Sequence, residues 1–140
     1  MSALSIERPA FMREDDVVIL EQSIGKFLDD HVPEARAAKW REEGMVERAM
    51  WREAGEAGLL CLGLPCEYGG GGGDLRHETI LNEQLARRGL GGFAVALHNT
   101  IVAPYVFYYG SEEQKARWLP RMASGSLATR PASNRAGSTN

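Results

Sequence analysis

The residues of this chain that could do chemistry are few: three histidines, two cysteines and a run of five glycines. His31, His77 and His98 could ligate a metal or carry protons. They stand far apart in the chain, and no HExxH or comparable pairing joins them, so no metal site is expected. Cys61 and Cys66 are separated by Leu62-Gly63-Leu64-Pro65, the wrong gap for a CxxC redox pair, and there is no second pair to complete a zinc site. Two reduced thiols in a reducing compartment are expected. Gly69 to Gly73 resemble a phosphate loop only in composition. No lysine or hydroxyl residue follows the last glycine, Asp74 would repel phosphate, and no strand precedes the run. A flexible surface turn is the expected form. No GxSxG occurs, so serine-nucleophile chemistry has no elbow to sit on. His98, beside Asn99 and Thr100 in an otherwise apolar stretch, reads as a hydrogen-bonded interior or interface histidine. Glu83 and Arg87, four apart, read as a surface pair worth about 0.3–0.5 kcal/mol.

The elements that must position these residues are helical. Residues 11–31 carry Val17, Leu20, Ile24, Phe27 and Leu28 at three- and four-residue spacing, which gives one apolar stripe, with acids in the first turn where the helix dipole favours them. Pro33 opens a second helix that Gly44 closes. A third runs from Val46 to about Ala57, with Val46, Met50, Ala54 and Ala57 facing inward and Gly58 as its left-handed stop. Leu59 to Pro65 reads as a buried extended link. Asp74 caps a fourth helix ending near Arg88, with Ile80, Leu81 and Leu85 inward. Phe93 to Tyr109 is apolar nearly all round, the mark of a helix in the middle of a bundle, and Pro104 should kink or split it. Ser111 with Gln114 makes a capping box for a sixth helix, which Pro120 should interrupt and Gly125 end.

No segment alternates as a strand does, so the predicted class is all-α, a six-helix bundle. The expected organisation is a flexible N-terminus over 1–10, one helical domain over 11–125 and a disordered polar tail over 126–140, where Leu127 is the single large apolar residue. With 140 residues, 44% hydrophobic and 25% charged, the chain has the composition of one soluble domain. A net charge of −3, with both signs interspersed, recommends no nucleic acid. The longest apolar stretch is broken by His98, Asn99, Thr100 and Pro104 and falls short of the about 20 residues a membrane span needs. The N-terminus lacks the apolar core of a secretory signal. A cytoplasmic location is expected.

Five local patterns, in order, resemble one family. They are Trp51 to Gly58; Leu64-Pro65-Cys66-Glu67-Tyr68-Gly69-Gly70; Asn82 to Arg87; Leu97-His98-Asn99-Thr100-Ile101-Val102-Ala103-Pro104; and Gly110-Ser111-Glu112-Glu113-Gln114-Lys115 through Trp118-Leu119-Pro120 to Ser124-Gly125. Together they resemble the N-terminal helical domain of the acyl-CoA dehydrogenases over residues 11–125.

That resemblance implies a FAD-dependent oxidoreductase of fatty acid oxidation. Such an enzyme converts an acyl-CoA thioester to its 2,3-enoyl form: a carboxylate takes the α-proton while the β-hydride passes to the flavin, and electron-transfer flavoprotein is the partner of the intact enzyme. The family's base and most of its FAD contacts lie in later domains. The resemblance therefore implies no catalytic and no cofactor-binding residue in this chain, and no FAD on this chain alone. It places Phe93, Ala96, Leu97 and Thr100 along the acyl-chain pocket wall, and the Leu97–Pro104 segment slightly favours the long-chain branch. After Gly125 the family's flavin-side motif is replaced by Ser126 to Arg135, which suggests a reading-frame change or a gene fragment. Without the later domains the pocket face would be an exposed apolar patch, suited to self-association or to another dehydrogenase-type chain. The alternative is a non-catalytic helical remnant or a protein-interaction module.

Overall fold

The structure is a computed structural model and describes residues 7–129. Every regular element among them is helical. A short 3-10 turn, Ala10–Met12, leads into α1 (Asp15–His31); α2 (Glu34–Glu43) and α3 (Arg48–Glu56) follow. After a buried loop and a second 3-10 turn (Cys66–Tyr68) come α4 (Leu75–Arg87), then a central rod and α7 (Glu112–Ala123). The rod is wound as α5 (Val95–Leu97), a π segment (His98–Val102) and α6 (Ala103–Tyr109). Counted as rods, these are the six predicted helices, and no described residue is in a strand.

The α1 stripe packs along α4. Val17, Ile24 and Leu28 of α1 and Ile80, Leu81 and Leu85 of α4 are buried in one cluster with Met50, Trp51, Ala54 and Phe93. Each such aliphatic side chain contributes about 1.5–3 kcal/mol on leaving water. A second, smaller cluster joins Cys61, Leu64 and Ala103 to Leu119, Met122 and Ala123 of α7. Capping is as predicted. The Asp74 carboxylate accepts from the Arg76 amide, and Ser111 and Gln114 close a reciprocal box. The third helix hides Trp51 along with Met50 and Ala54, while Ala57 is exposed beside Gly58, whose φ is +74°.

Several expectations are corrected. Leu59–Pro65 is buried but turned, not extended. The Leu64 amide donates to the Cys61 carbonyl, and Cys61 stands at φ +58°, a left-handed conformation uncommon outside glycine. The glycine run is tightly tied. The amides of Gly70, Gly71, Gly72 and Gly73 donate to the carbonyls of Pro65, Cys61, Leu64 and Leu62. A Cβ on Gly70 would lie 2.3 Å from the Leu64 carbonyl oxygen, so glycine serves close approach here. Pro120 sits inside α7 without ending it. It is on the exposed side, where water can satisfy the carbonyl it leaves unpaired. Pro104 is accommodated by the π winding that ends just before it.

At the two ends, residues 1–6 and 130–140 of the expected flexible N-terminus and tail lie outside the described residues. Arg8 is pinned across α1 and α4 by Glu21 at 2.8 Å and Glu83 at 2.6 Å, and residues 126–129 fold back onto the bundle.

Candidate functional site

The central rod carries two faces of opposite character. Its inner face places His98 and Asn99 in the interior, at 0% and 2% exposure. Its outer face presents Ala96, Leu97, Thr100, Ile101, Tyr105 and Tyr108, with Ile101 59% and Tyr105 67% exposed. The helix expected to be buried all round therefore covers only one side with this chain's described residues. The Thr100 hydroxyl donates to the Ala96 carbonyl at 2.5 Å, so this side chain's polar atom is turned into its own helix, while Tyr105 and Tyr108 bring phenol groups to the later part of the face. The outer face is about three turns long, aliphatic at its Ala96–Ile101 end and aromatic at its Tyr105–Tyr108 end. The π turn widens the rod where inner and outer faces must both be presented, a place where such windings gather in functional sites.

Of the four predicted wall residues, Ala96, Leu97 and Thr100 share this outer face. Phe93 does not. It lies before α5 and points inward, edge-on to Trp51 at 5.0 Å and 5.7 Å from Trp40. It stands ahead of the helix start and does not follow the helical phase of Ala96 and Thr100.

The inner face is held by a polar network that spacing alone did not predict. The Asn99 side-chain oxygen accepts the Cys61 amide at 2.8 Å, and its Nδ2 donates to the Leu59 carbonyl at 2.9 Å and to Glu78 Oε2 at 3.0 Å. The other Glu78 oxygen accepts the Gly63 amide at 2.9 Å. Burial pushes the Glu78 carboxyl above its usual range, and these donors pull it partly back. Burial, with Glu78 nearby, pushes the Cys61 thiol up to about 12, which leaves it inert as a nucleophile. Glu78 stands three and seven residues before Leu81 and Leu85, on the inward stripe of α4. That spacing was the available signal for a buried acid.

His98 is the expected interior histidine. Its Nε2 donates to the Met122 carbonyl at 3.0 Å, and its Nδ1 faces the Thr129 amide at 3.2 Å. Burial holds its pKa below the ordinary histidine value. Glu83 pairs with Arg87 as predicted and also with Arg8. Cys61 and Cys66 are free thiols, and no described group of three or more His, Cys, Asp or Glu residues could hold a metal. No helix among the described residues is long and apolar enough to cross a membrane.

Residues 14–126 match the sequence profile described as acyl-CoA dehydrogenase, N-terminal domain. The chain belongs to the acyl-CoA dehydrogenase family. It is 38% identical over 118 residues to the long-chain specific acyl-CoA dehydrogenase of Sus scrofa mitochondria, covering 84% of this chain and 27% of that one. It is 32% identical over 108 residues to the isovaleryl-CoA dehydrogenase of Pongo abelii mitochondria, covering 76% of this chain and 26% of the relative. Among solved structures, an acyl-CoA dehydrogenase from Geobacillus kaustophilus superposes with a TM-score of 0.76 at 33% identity, over 81% of this chain and 30% of the other. The chain thus spans less than a third of the length of these dehydrogenases.

Proposed function

We propose that this chain supplies the helical wall of an acyl-CoA dehydrogenase acyl pocket: Ala96, Leu97 and Thr100 line it and Phe93 backs it from the core. The reaction served is FAD-dependent α,β-dehydrogenation of an acyl-CoA thioester. The observation that carries this reading is the Ala96, Leu97, Thr100 and Ile101 part of the rod's outer face, apolar at its surface because the Thr100 hydroxyl is turned into its own helix. Such a surface suits an alkyl chain.

The same surface does not by itself fit FAD. A dinucleotide's phosphates need free backbone amides or cations, and the amides of the glycine loop are taken by the carbonyls of Pro65, Cys61, Leu64 and Leu62. No carboxylate lies on the outer face among Ala96, Leu97, Thr100, Ile101, Tyr105 and Tyr108 to take an α-proton. Base, flavin site and electron-transfer flavoprotein docking therefore belong to further dehydrogenase domains, and the chain alone is not competent. The exposed face docks on those domains or, without them, on a second copy of itself. Its two free thiols suit a reducing compartment such as the cytoplasm.

The test is a chimera in which this chain replaces the corresponding helical part of the Geobacillus kaustophilus relative. Flavin absorbance and acyl-CoA-dependent bleaching are expected in the chimera and not in the chain alone. A chimera that folds and binds flavin but shows no acyl-CoA-dependent bleaching would sink the pocket-wall reading. Stoichiometric FAD with turnover on the isolated chain would overturn its incompetence.

A further inference from the structure

Past the end of α7 the described residues stay on the bundle. Gly125 turns at φ +76°, the Leu127 amide donates to the Arg121 carbonyl at 2.9 Å, and residues 126–129 run back as a short strap. Leu127 packs on the cluster of Ala103, Leu119 and Met122, and Ala128 on the larger core, so the strap lies over the seam between the two. Its last described residue meets His98. The imidazole Nδ1 lies 3.2 Å from the Thr129 amide nitrogen and 3.1 Å from its hydroxyl oxygen.

These contacts fix the ring's protonation. An amide N–H can only donate, so Nδ1 must present its lone pair, and the Met122 carbonyl can only accept, so Nε2 must carry the hydrogen. The ring is 0% exposed and its partners are uncharged: the Trp51 ring of α3 at 5.2 Å, the Met122 carbonyl of α7 and Thr129 of the strap. The ionisable side chain of the adjoining polar network, Glu78 of α4, is engaged with Asn99 and Gly63. No described carboxylate bonds to the ring to stabilise a proton on Nδ1.

We infer that His98 is a positioning latch: as the neutral Nε2–H tautomer it holds the strap over residues 127–129 against the bundle, and protonation at Nδ1 releases the strap. The added proton replaces the lone pair that the Thr129 amide uses. Two N–H groups then face each other; the threonine hydroxyl can rotate to accept, but the backbone amide cannot. The bond to Met122 survives, since Nε2 donates in both states, and so does the Leu127–Arg121 bond. The release is therefore local, on the C-terminal side of α7. Its consequence for domain orientation rests on the dehydrogenase reading above; the latch itself does not.

The experiment uses the full chain. The imidazole ¹⁵N shifts of His98 are followed with pH, together with hydrogen exchange of the Thr129, Leu127, Ile24 and Leu28 amides corrected for intrinsic rates, from about pH 7.5 to about pH 5. The Nε2–H tautomer is expected at the upper end. Thr129 protection should fall by roughly tenfold as the ring titrates, with Ile24 and Leu28 unchanged. His98→Asn, whose side-chain oxygen can accept from Thr129 without titrating, should keep protection across the range; Thr129→Pro, which removes the donor to the Nδ1 lone pair, should move the ¹⁵N titration of His98 to higher pH. An Nδ1–H tautomer, Thr129 protection that ignores ring protonation, or loss of Thr129 and Ile24 protection together would each overturn the latch. The tautomer and exchange readouts of the unmodified chain decide the matter if His98→Asn fails to fold. None of these readouts involves flavin or acyl-CoA, so the latch and the dehydrogenase reading fail separately.

Discussion

Asn99 Nδ2 donates to Glu78 Oε2 at 3.0 Å in the middle of the bundle, tying the central rod to α4. The same amide group satisfies the Leu59 carbonyl and the Cys61 amide, so one side chain closes the polar accounts of a buried loop. The phase of the rod, and with it the direction of the outer wall, is held by this contact.

Truncating that side chain should be costly. Asn99→Ala strands a buried amide, a buried carbonyl and one side of a carboxyl, each a desolvated group without its partner. A loss of about 3 kcal/mol is expected in urea unfolding of the full chain. A loss below about 1 kcal/mol would mean that the network is not what holds the loop.

Glu78 sets a pH dependence with a definite sign. Its folded-state pKa is raised above the ordinary carboxyl value, first by burial. The stabilisation from its protonated form is therefore fully present below the unfolded pKa and is lost as pH rises through the folded pKa. Glu78→Gln removes this titration. The stability of the unmodified chain minus that of the variant should fall as pH rises from the ordinary carboxyl range toward neutrality. Parallel curves from matched denaturant titrations would contradict the assignment.

The crossing of α3 with the end of α7 depends on two glycines. A Cβ on Gly55 would lie 2.4 Å from the Ser124 carbonyl, and one on Gly125 would lie 2.1 Å from the Trp51 carbonyl oxygen. Gly55→Ala and Gly125→Ala should each destabilise by about 2–3 kcal/mol, since the clash is with backbone that cannot swing aside. Gly58→Ala meets open space at a similar left-handed φ and should cost only about 1 kcal/mol. Thermal melts of the three variants order the effects.

The outer wall should govern association without governing stability. Ile101 and Tyr105 are exposed, so the double variant Ile101→Ser, Tyr105→Ser should unfold within about 0.5 kcal/mol of the parent. Sedimentation velocity should show self-association of the parent and a monomeric double variant. Equal association of both would place the contact elsewhere on the surface.

The helical class, the six rods, their caps and most of the inward stripe were legible in the order of residues, because each rests on chain-local physics. Val17, Ile24 and Leu28 repeat with the helical period, Asp74 and Ser111 sit where a helix start needs acceptors, and Gly44 and Gly58 stand where a left-handed stop is easiest. The five ordered motifs were enough to resemble the family that the profile match then established.

Tertiary structure decided what depended on distant partners. Asn99 meets residues some forty positions earlier, Glu78 takes its Gly63 donor from the loop after α3, and His98 finds Thr129 across 31 positions. Phe93 joined the core because Trp40 and Trp51 converge there, which no periodicity encodes. The glycine run became a tied loop because the carbonyls of Leu62 and Leu64 come within reach of its amides. The sequence by itself determined where helices begin, end and turn their apolar stripes. Only the packed chain determined which polar groups meet inside and which apolar face is left open, because buried hydrogen bonds and surface exposure are set by what arrives from elsewhere in the chain.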